Sequence, residues 1–285
     1  MDFDFKHVGV PFRMSPGLAR LPPGARHLTP LDVTSTRYQE KLAVSRSGGA
    51  MHCVAGFDPA DALRAIAGSA AAGTTPGSPG PPGHPATPEL AFEEDLVVLD
   101  AATASVPWMC VCTPSGWAPE EKLGLGLPAI HTPVADIGHL AAAWPHLMAL
   151  ATNGEHWERF VWTVSPSPHY DQHPRRRPRA PWPSDPDPAA FARQCYFRAE
   201  RQTFLPVHDA QGAVRRQAIF TIRVMVEPLP AVVATPAEAQ RLHDALASMT
   251  ASVLAYKNLQ PARERLLAWL SRMAAGPGDD QHFPV

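Results

Sequence analysis

The chain has 285 residues, 45% of them hydrophobic, with 25 Lys and Arg against 27 Asp and Glu. That length holds one large domain or two small ones around a sizeable core, and the near-neutral balance offers no global basic field for nucleic acid or an anionic membrane. Four cysteines are too few for a disulfide scaffold, no run of 18 apolar residues predicts a transmembrane helix, and the opening MDFDFKHVGVPF lacks the charged and apolar regions of a signal peptide; a cytoplasmic protein with reduced thiols is expected.

Residues 1–30 are punctuated by Pro and Arg and are expected to wrap the surface. TRYQEKLAVS (36–45) predicts a short helix, and Asp58 before Pro59 is a helix start signal. Residues 68–89 are of low complexity and are expected to be a disordered loop. DLVVLD (95–100) and PWMCVC (107–112) read as strands. Ser115 is expected to cap a short helix, APEEKLG, that Gly124 ends. Leu140 to Leu150 reads as a helix interrupted early by Pro145, and ERFVWTV (158–164) as a strand. A polar, Pro-rich loop spans 165–190. CYFRAERQTFLPV (195–207) and AIFTIRVMV (218–226) form an antiparallel hairpin through HDAQGAV. Thr235, Pro236 and Glu238 open a helix to Tyr256 with one apolar stripe, Leu242, Leu246, Met249 and Val253. PARERLLAWLSRM is a last helix, ended at Gly276–Pro277. This order predicts α+β architecture and excludes a doubly wound parallel sheet. No GxGxxG, GxxxxGK[ST] or GxSxG motif occurs.

Chemistry-bearing residues concentrate in LGLGLPAIHTPVADIGHL. A short apolar run (Leu125, Leu127, Ala129, Ile130) delivers His131, and Pro133 follows it. A neutral imidazole in an apolar wall suits a buried haem iron; a hydrogen-bonded core histidine is the alternative. In the 195–205 strand, Tyr196, Arg198, Glu200, Gln202 and Phe204 share one face, and Cys195, Phe197, Ala199, Arg201, Thr203 and Leu205 the other. Arg201 on the apolar side is an anion clamp, for example for a haem propionate, or one half of an internal salt bridge. Cys110 and Cys112 point one way and read as core packing. His169-x-Asp171-x-His173 has ligand chemistry but lies in a Pro-rich loop, where a solvated loop is expected over a metal site. RRRPR (175–179) reads as a local patch or a docking face for an acidic partner.

PFRMSPGLARL (11–21), EEDLVVLD (93–100), TPSGWAPEEKLGLGLPAIHTPV (113–134), RFVWTV (159–164), RAERQTF (198–204), FTIRVMVEPL (220–229) and AYKNL (255–259) together resemble the haem-binding α-subunit family of haem-dependent oxidative N-demethylases. The resemblance implies a single PAS-like α+β domain, an antiparallel sheet with flanking helices that holds haem b. The chain is expected to divide into an N-terminal wrap (1–67), a disordered Pro/Gly-rich insertion (68–90) that is unusual for the family, a haem-binding core with C-terminal helices (91–275) and a tail (276–285). The resemblance further implies oxidation of a small methylated secondary amine such as dimethylamine, with O2 and external electrons from separate reductase subunits, releasing formaldehyde. Carried over by matching position, His131 is the axial metal ligand. Arg198, Arg201, Gln202, Lys122 and Trp117 are assigned to the cofactor pocket, and Glu200 and Trp162 are the catalytic candidates. Two positions depart from the family pattern: Val161 stands where its strand carries Asn, and Thr113 where an aromatic precedes the Pro of the PSGW block. A haem-binding sensor without turnover and a haem-free interaction subunit are the rival readings.

Overall fold

The structure is a computed structural model and describes residues 1–72, 87–132, 134 and 143–276. In chain order the elements are β1 (Ala19–Arg20), α1 (Thr36–Arg46), β2 (Met51–Cys53), α2 (Ala60–Ala72), α3 (Pro88–Ala91), β3 (Asp95–Asp100), β4 (Ser105–Cys110), α4 (Leu127–His131), α5 (Trp144–Ala151), β5 (Trp157–Ser165), α6 (Pro188–Arg193), β6 (Tyr196–His208), β7 (Val214–Pro228), α7 (Leu229–Val232), α8 (Pro236–Ala247), α9 (Ala251–Tyr256) and α10 (Arg263–Ala275). The strands form one antiparallel sheet in the order β1-β5-β6-β7-β3-β4-β2, so the expected α+β class holds. No helix among the described residues is long and apolar enough to cross a membrane.

The β6–β7 hairpin is the centre of this sheet. Its turn closes because the Asp209 carboxylate accepts the backbone N–H groups of Gln211 (3.0 Å) and Ala213 (2.9 Å), and Gly212 takes φ +84°, a conformation that costs a side-chain-bearing residue energy. Alternation then sorts the hairpin into two layers. On one face, Phe197, Ala199 and Met225 pack with Trp162, Phe191, Leu242, Leu246 and Leu270 under α6, α8 and α10. The same face continues through Leu205, Ile219, Leu96 and Val98 onto Ala62 and Ile66 of α2. On the other face, Phe204, Ile222, Val224 and Val226 join Val97, Met109 and Met148.

Several local expectations need correction. The insertion expected to be disordered over 68–90 is helical at both ends: α2 continues through Ala72 and α3 begins at Pro88. Residues 73–86 lie outside the described set. Pro145 does not interrupt a helix; it sits in the first turn of α5, where its missing N–H leaves nothing unpaired. The start expected at Leu140 lies outside the described residues. The helix expected from Pro236 to Tyr256 is two helices. Its capping box of Thr235 and Glu238 is present, but the Ser248 hydroxyl bonds back to the Asp244 carbonyl (2.7 Å) and Thr250 caps a new start at the Val253 N–H (3.2 Å). Such local side-chain bonds compete with helix continuation. Leu242, Leu246, Met249 and Val253 all stay buried across the break.

At the edge between α1 and β3 a charge is fully enclosed. The Lys41 ammonium lies 3.2 Å from Asp95 and donates to the carbonyls of Phe92 (3.0 Å) and Glu94 (2.7 Å). Asp95 in turn accepts the N–H groups of Cys112 (3.0 Å) and Thr113 (2.8 Å) and the Thr113 hydroxyl (2.7 Å). Burial lowers the Lys41 pKa most strongly, but Asp95 together with Cys112 and Cys110 outweighs it and the net shift is upward. Asp95→Ala strands that cation, so a loss of about 3–5 kcal/mol is expected. Urea unfolding measures it, and a loss under about 1 kcal/mol would contradict the pairing.

Candidate functional site

Opposite residues of an antiparallel pair share a face. Arg198 lies opposite Thr163, Glu200 opposite Val161 and Gln202 opposite Arg159, on the face that also packs Trp117, Leu127 and Ile130. Two further segments cover this face, the 113–131 stretch that leads into α4, and α5.

His131 ends α4. Only Leu127 and Ile130 of the expected apolar run pack inward; Leu125 and Ala129 are exposed, because a helix, not an extended run, presents the ring. Pro133 lies outside the described residues. The ring is 2.8 Å from the Leu127 carbonyl through Nδ1. A carbonyl only accepts, so Nδ1 holds the proton and Nε2 keeps its lone pair. The ring stacks on Trp144 with centroids 4.7 Å apart. Trp144, Leu127, Pro128, Pro145 and Met148 line an apolar cleft of about 310 Å³. Burial lowers the His131 pKa against the opposing pull of the Leu127 carbonyl, and Arg159 and Lys122 lower it further. A neutral, oriented imidazole whose Nε2 has no partner among the described residues fits a haem ligand whose other nitrogen is held by a carbonyl.

Glu200 is held by a directed chain of bonds. Arg198 Nε donates to Ser115 Oγ (2.8 Å), so the Ser115 hydroxyl turns its own proton to Glu200. Gln202 Nε2 donates to the other carboxylate oxygen at 2.6 Å. Ser115 therefore caps no helix; the turn that follows, Pro119–Glu121, has no side-chain cap. The rest of the Arg198 guanidinium is taken by the carbonyls of His169 (3.0 Å), Tyr170 (2.9 Å) and Thr113 (3.3 Å). Burial pushes its pKa down to about 10.

Trp117 packs beside Leu127, and the Lys122 ammonium donates to the Ile130 carbonyl at 3.4 Å. Trp162 and Arg201 are not brought to this group. Both face the opposite layer: Trp162 stacks on Phe197 (5.9 Å), and Arg201 pairs with Glu158 (3.0 Å) and the Arg26 carbonyl (2.9 Å). Sequence reasoning missed two cations that feel the Glu200 charge. Arg159, beside Val161 on β5, has a buried Nε with no hydrogen-bond partner. Lys257, just beyond α9, donates to the Trp162 carbonyl at 2.8 Å, and burial pulls its pKa down to about 8. The legible signal for Arg159 was a charge in a strand face otherwise built of Val161 and Thr163.

The 169–179 loop is not solvated as expected. Asp171 and His173 are 4% and 2% exposed, because each finds a partner. Asp171 pairs with Arg176 (2.8 Å), His173 with Glu120 (3.1 Å), and His169 with Glu40 (3.0 Å). Arg175 pairs with Glu120 and Glu121 (2.7 and 2.9 Å), so two of the RRRPR charges are satisfied within the chain. Among the described residues no group of three His, Cys, Asp or Glu side chains is placed to hold a metal. Cys110 and Cys112 are buried, and burial pushes the Cys112 thiol up to about 12, as core packing implies.

A sequence model of the family described as haem-dependent oxidative N-demethylase, alpha subunit-like matches residues 89–267. That span is well over half of the chain and includes all of the pocket residues above. A lowered pKa for His131 makes a prediction of its own. Because the folded value lies below the ordinary 6.5, this group's contribution to stability is full above pH 6.5 and is lost as pH falls through the lowered value. Two-dimensional 1H–15N spectra of the haem-free ring are expected to show the Nδ1-protonated form and a midpoint below 6.5. A midpoint above 6.5 would contradict the buried placement.

Proposed function

The chain belongs to the haem-dependent oxidative N-demethylase, alpha subunit-like family, and on that premise we propose that it is a PAS-like haem-b subunit that oxidises a small, dimethylamine-like secondary amine with O2, releasing formaldehyde. The observation that supports this most is the His131 ring, whose proton is committed to the Leu127 carbonyl and whose Nε2 is left for iron. His131 would hold the haem; Trp117, Lys122, Arg198 and Gln202 would border it or orient its neighbours. When bound, the haem supplies O2 activation and the redox step.

The chain's own residues do the rest. Glu200 accepts the substrate's ammonium group, since a buried cation without a counter-charge costs several kcal/mol. Ser115 and Gln202 fix its carboxylate from two sides, so little ordering is left to be lost on binding. Trp144, Leu127 and Met148 line the apolar cleft beside α4. Trp162 and Arg201, on the far layer, support β5 and β6 from behind. Electrons come from separate reductase subunits, in keeping with the absence of a dinucleotide loop in the sequence, and a cytoplasmic location suits the four free thiols.

Haem reconstitution followed by titration with dimethylamine tests this reading. His131→Ala is expected to lose the native Soret band while keeping its far-ultraviolet circular dichroism. Glu200→Gln is expected to keep the haem and weaken dimethylamine at least about tenfold, a loss of about 1.4 kcal/mol. An unchanged affinity would remove Glu200 from the site. No spectral response of the wild type to any small methylated amine would leave a haem-binding module without this turnover.

A further inference from the structure

The positive charge on the Glu200 side is larger than the haem–amine reading needs. Arg198, Arg159 and Lys257 all feel Glu200 as their attractive charge. Arg198 is saturated by carbonyls and a hydroxyl, and Lys257 has the Trp162 carbonyl. Arg159 has neither. Its Nε is shut off from solvent without a partner, and Glu200, which is near enough to act on it, gives its oxygens to Ser115 and Gln202 instead. A buried, unpaired N–H on a cation carries a standing desolvation cost. A chain that folds around such a cation gains most from an anion delivered from outside.

We propose that Arg159 is the carboxylate-binding residue of the His131 face, its fork of N–H groups receiving a carboxylate from outside the chain. The proposal rests on the haem–amine reading above only for the source of that carboxylate. Arg159 lies opposite Gln202 and Glu200 opposite Val161, so the two charged groups are diagonal neighbours on one face, their Cβ atoms about 7 Å apart. A guanidinium binds a carboxylate through two parallel hydrogen bonds. Two sources fit. One is a propionate of the haem. The other is the carboxylate of the substrate, an N-methylated amino acid whose ammonium group meets Glu200 while its carboxylate meets Arg159.

Melting of the full chain, freed of haem, in sodium propionate against sodium chloride of equal ionic strength tests the carboxylate site without reference to the reaction. The wild type is expected to melt higher in propionate, and Arg159→Gln to show no such rise while melting at or above the wild type in chloride, because it removes an unpaired buried charge. Two titrations followed at the Soret band then identify the source. If it is the cofactor, wild type prefers haem to its dimethyl ester at least tenfold and Arg159→Gln loses that preference. If it is the substrate, Arg159→Gln weakens N-methylglycine at least tenfold and leaves dimethylamine within twofold. Absence of a propionate-specific rise in the wild type overturns the proposal, as does a rise that persists in Arg159→Gln. A variant that melts well below wild type in chloride also overturns it, by making Arg159 a structural residue. Failure of haem or amine binding with the propionate effect intact would count against the haem–amine reading alone.

Discussion

The period of two along β6 is the constraint on which the rest of this molecule depends. Its even-numbered residues, Arg198, Glu200 and Gln202, can only look one way, and its odd-numbered residues, Phe197, Ala199 and Thr203, only the other. Because the odd side is sealed under α6, α8 and α10, a slip of one residue would bury Glu200 among leucines and expose Phe197. Pairing on both sides, to β5 and to β7, fixes that register. The apolar layer therefore does more than stabilise the fold: it determines which polar residues reach the His131 side.

On that side the polar groups are ordered by which of them can only donate. Arg198 cannot accept, so Ser115 must pass its proton on to Glu200. The Leu127 carbonyl cannot donate, so His131 must hold its proton on Nδ1. Both proton positions follow from the Ser115 and Leu127 contacts. They give a carboxylate held from two sides and an imidazole with one lone pair presented.

Much of the fold was legible because it is written in patterns with a single period. The hairpin, the β5 strand, the α8 capping box and the Leu242–Val253 stripe follow from alternation and cap chemistry. The misjudged places were those where a long-range partner decides the outcome. Ser115 looked like a cap, and Arg198 and Glu200 took its hydroxyl. The 169–179 loop looked solvated, and Glu40, Glu120 and Arg176 drew it in. The α8–α9 break follows from a hydroxyl that bonds its own helix. Of the candidate residues, His131 and Glu200 lie on the face named from their segments, whereas Trp162 and Arg201 belong to the opposite layer. Arg159 and Lys257 were passed over because each is an ordinary charge in its own segment and gains meaning only from what surrounds it.

Resonance Raman spectra of the reduced, haem-loaded chain test the central claim most directly. An iron–histidine band that shifts on 15N-histidine labelling, disappears in His131→Gly and returns when imidazole is added is the predicted result. The same band persisting in His131→Gly without imidazole would place the iron on another residue and contradict the account.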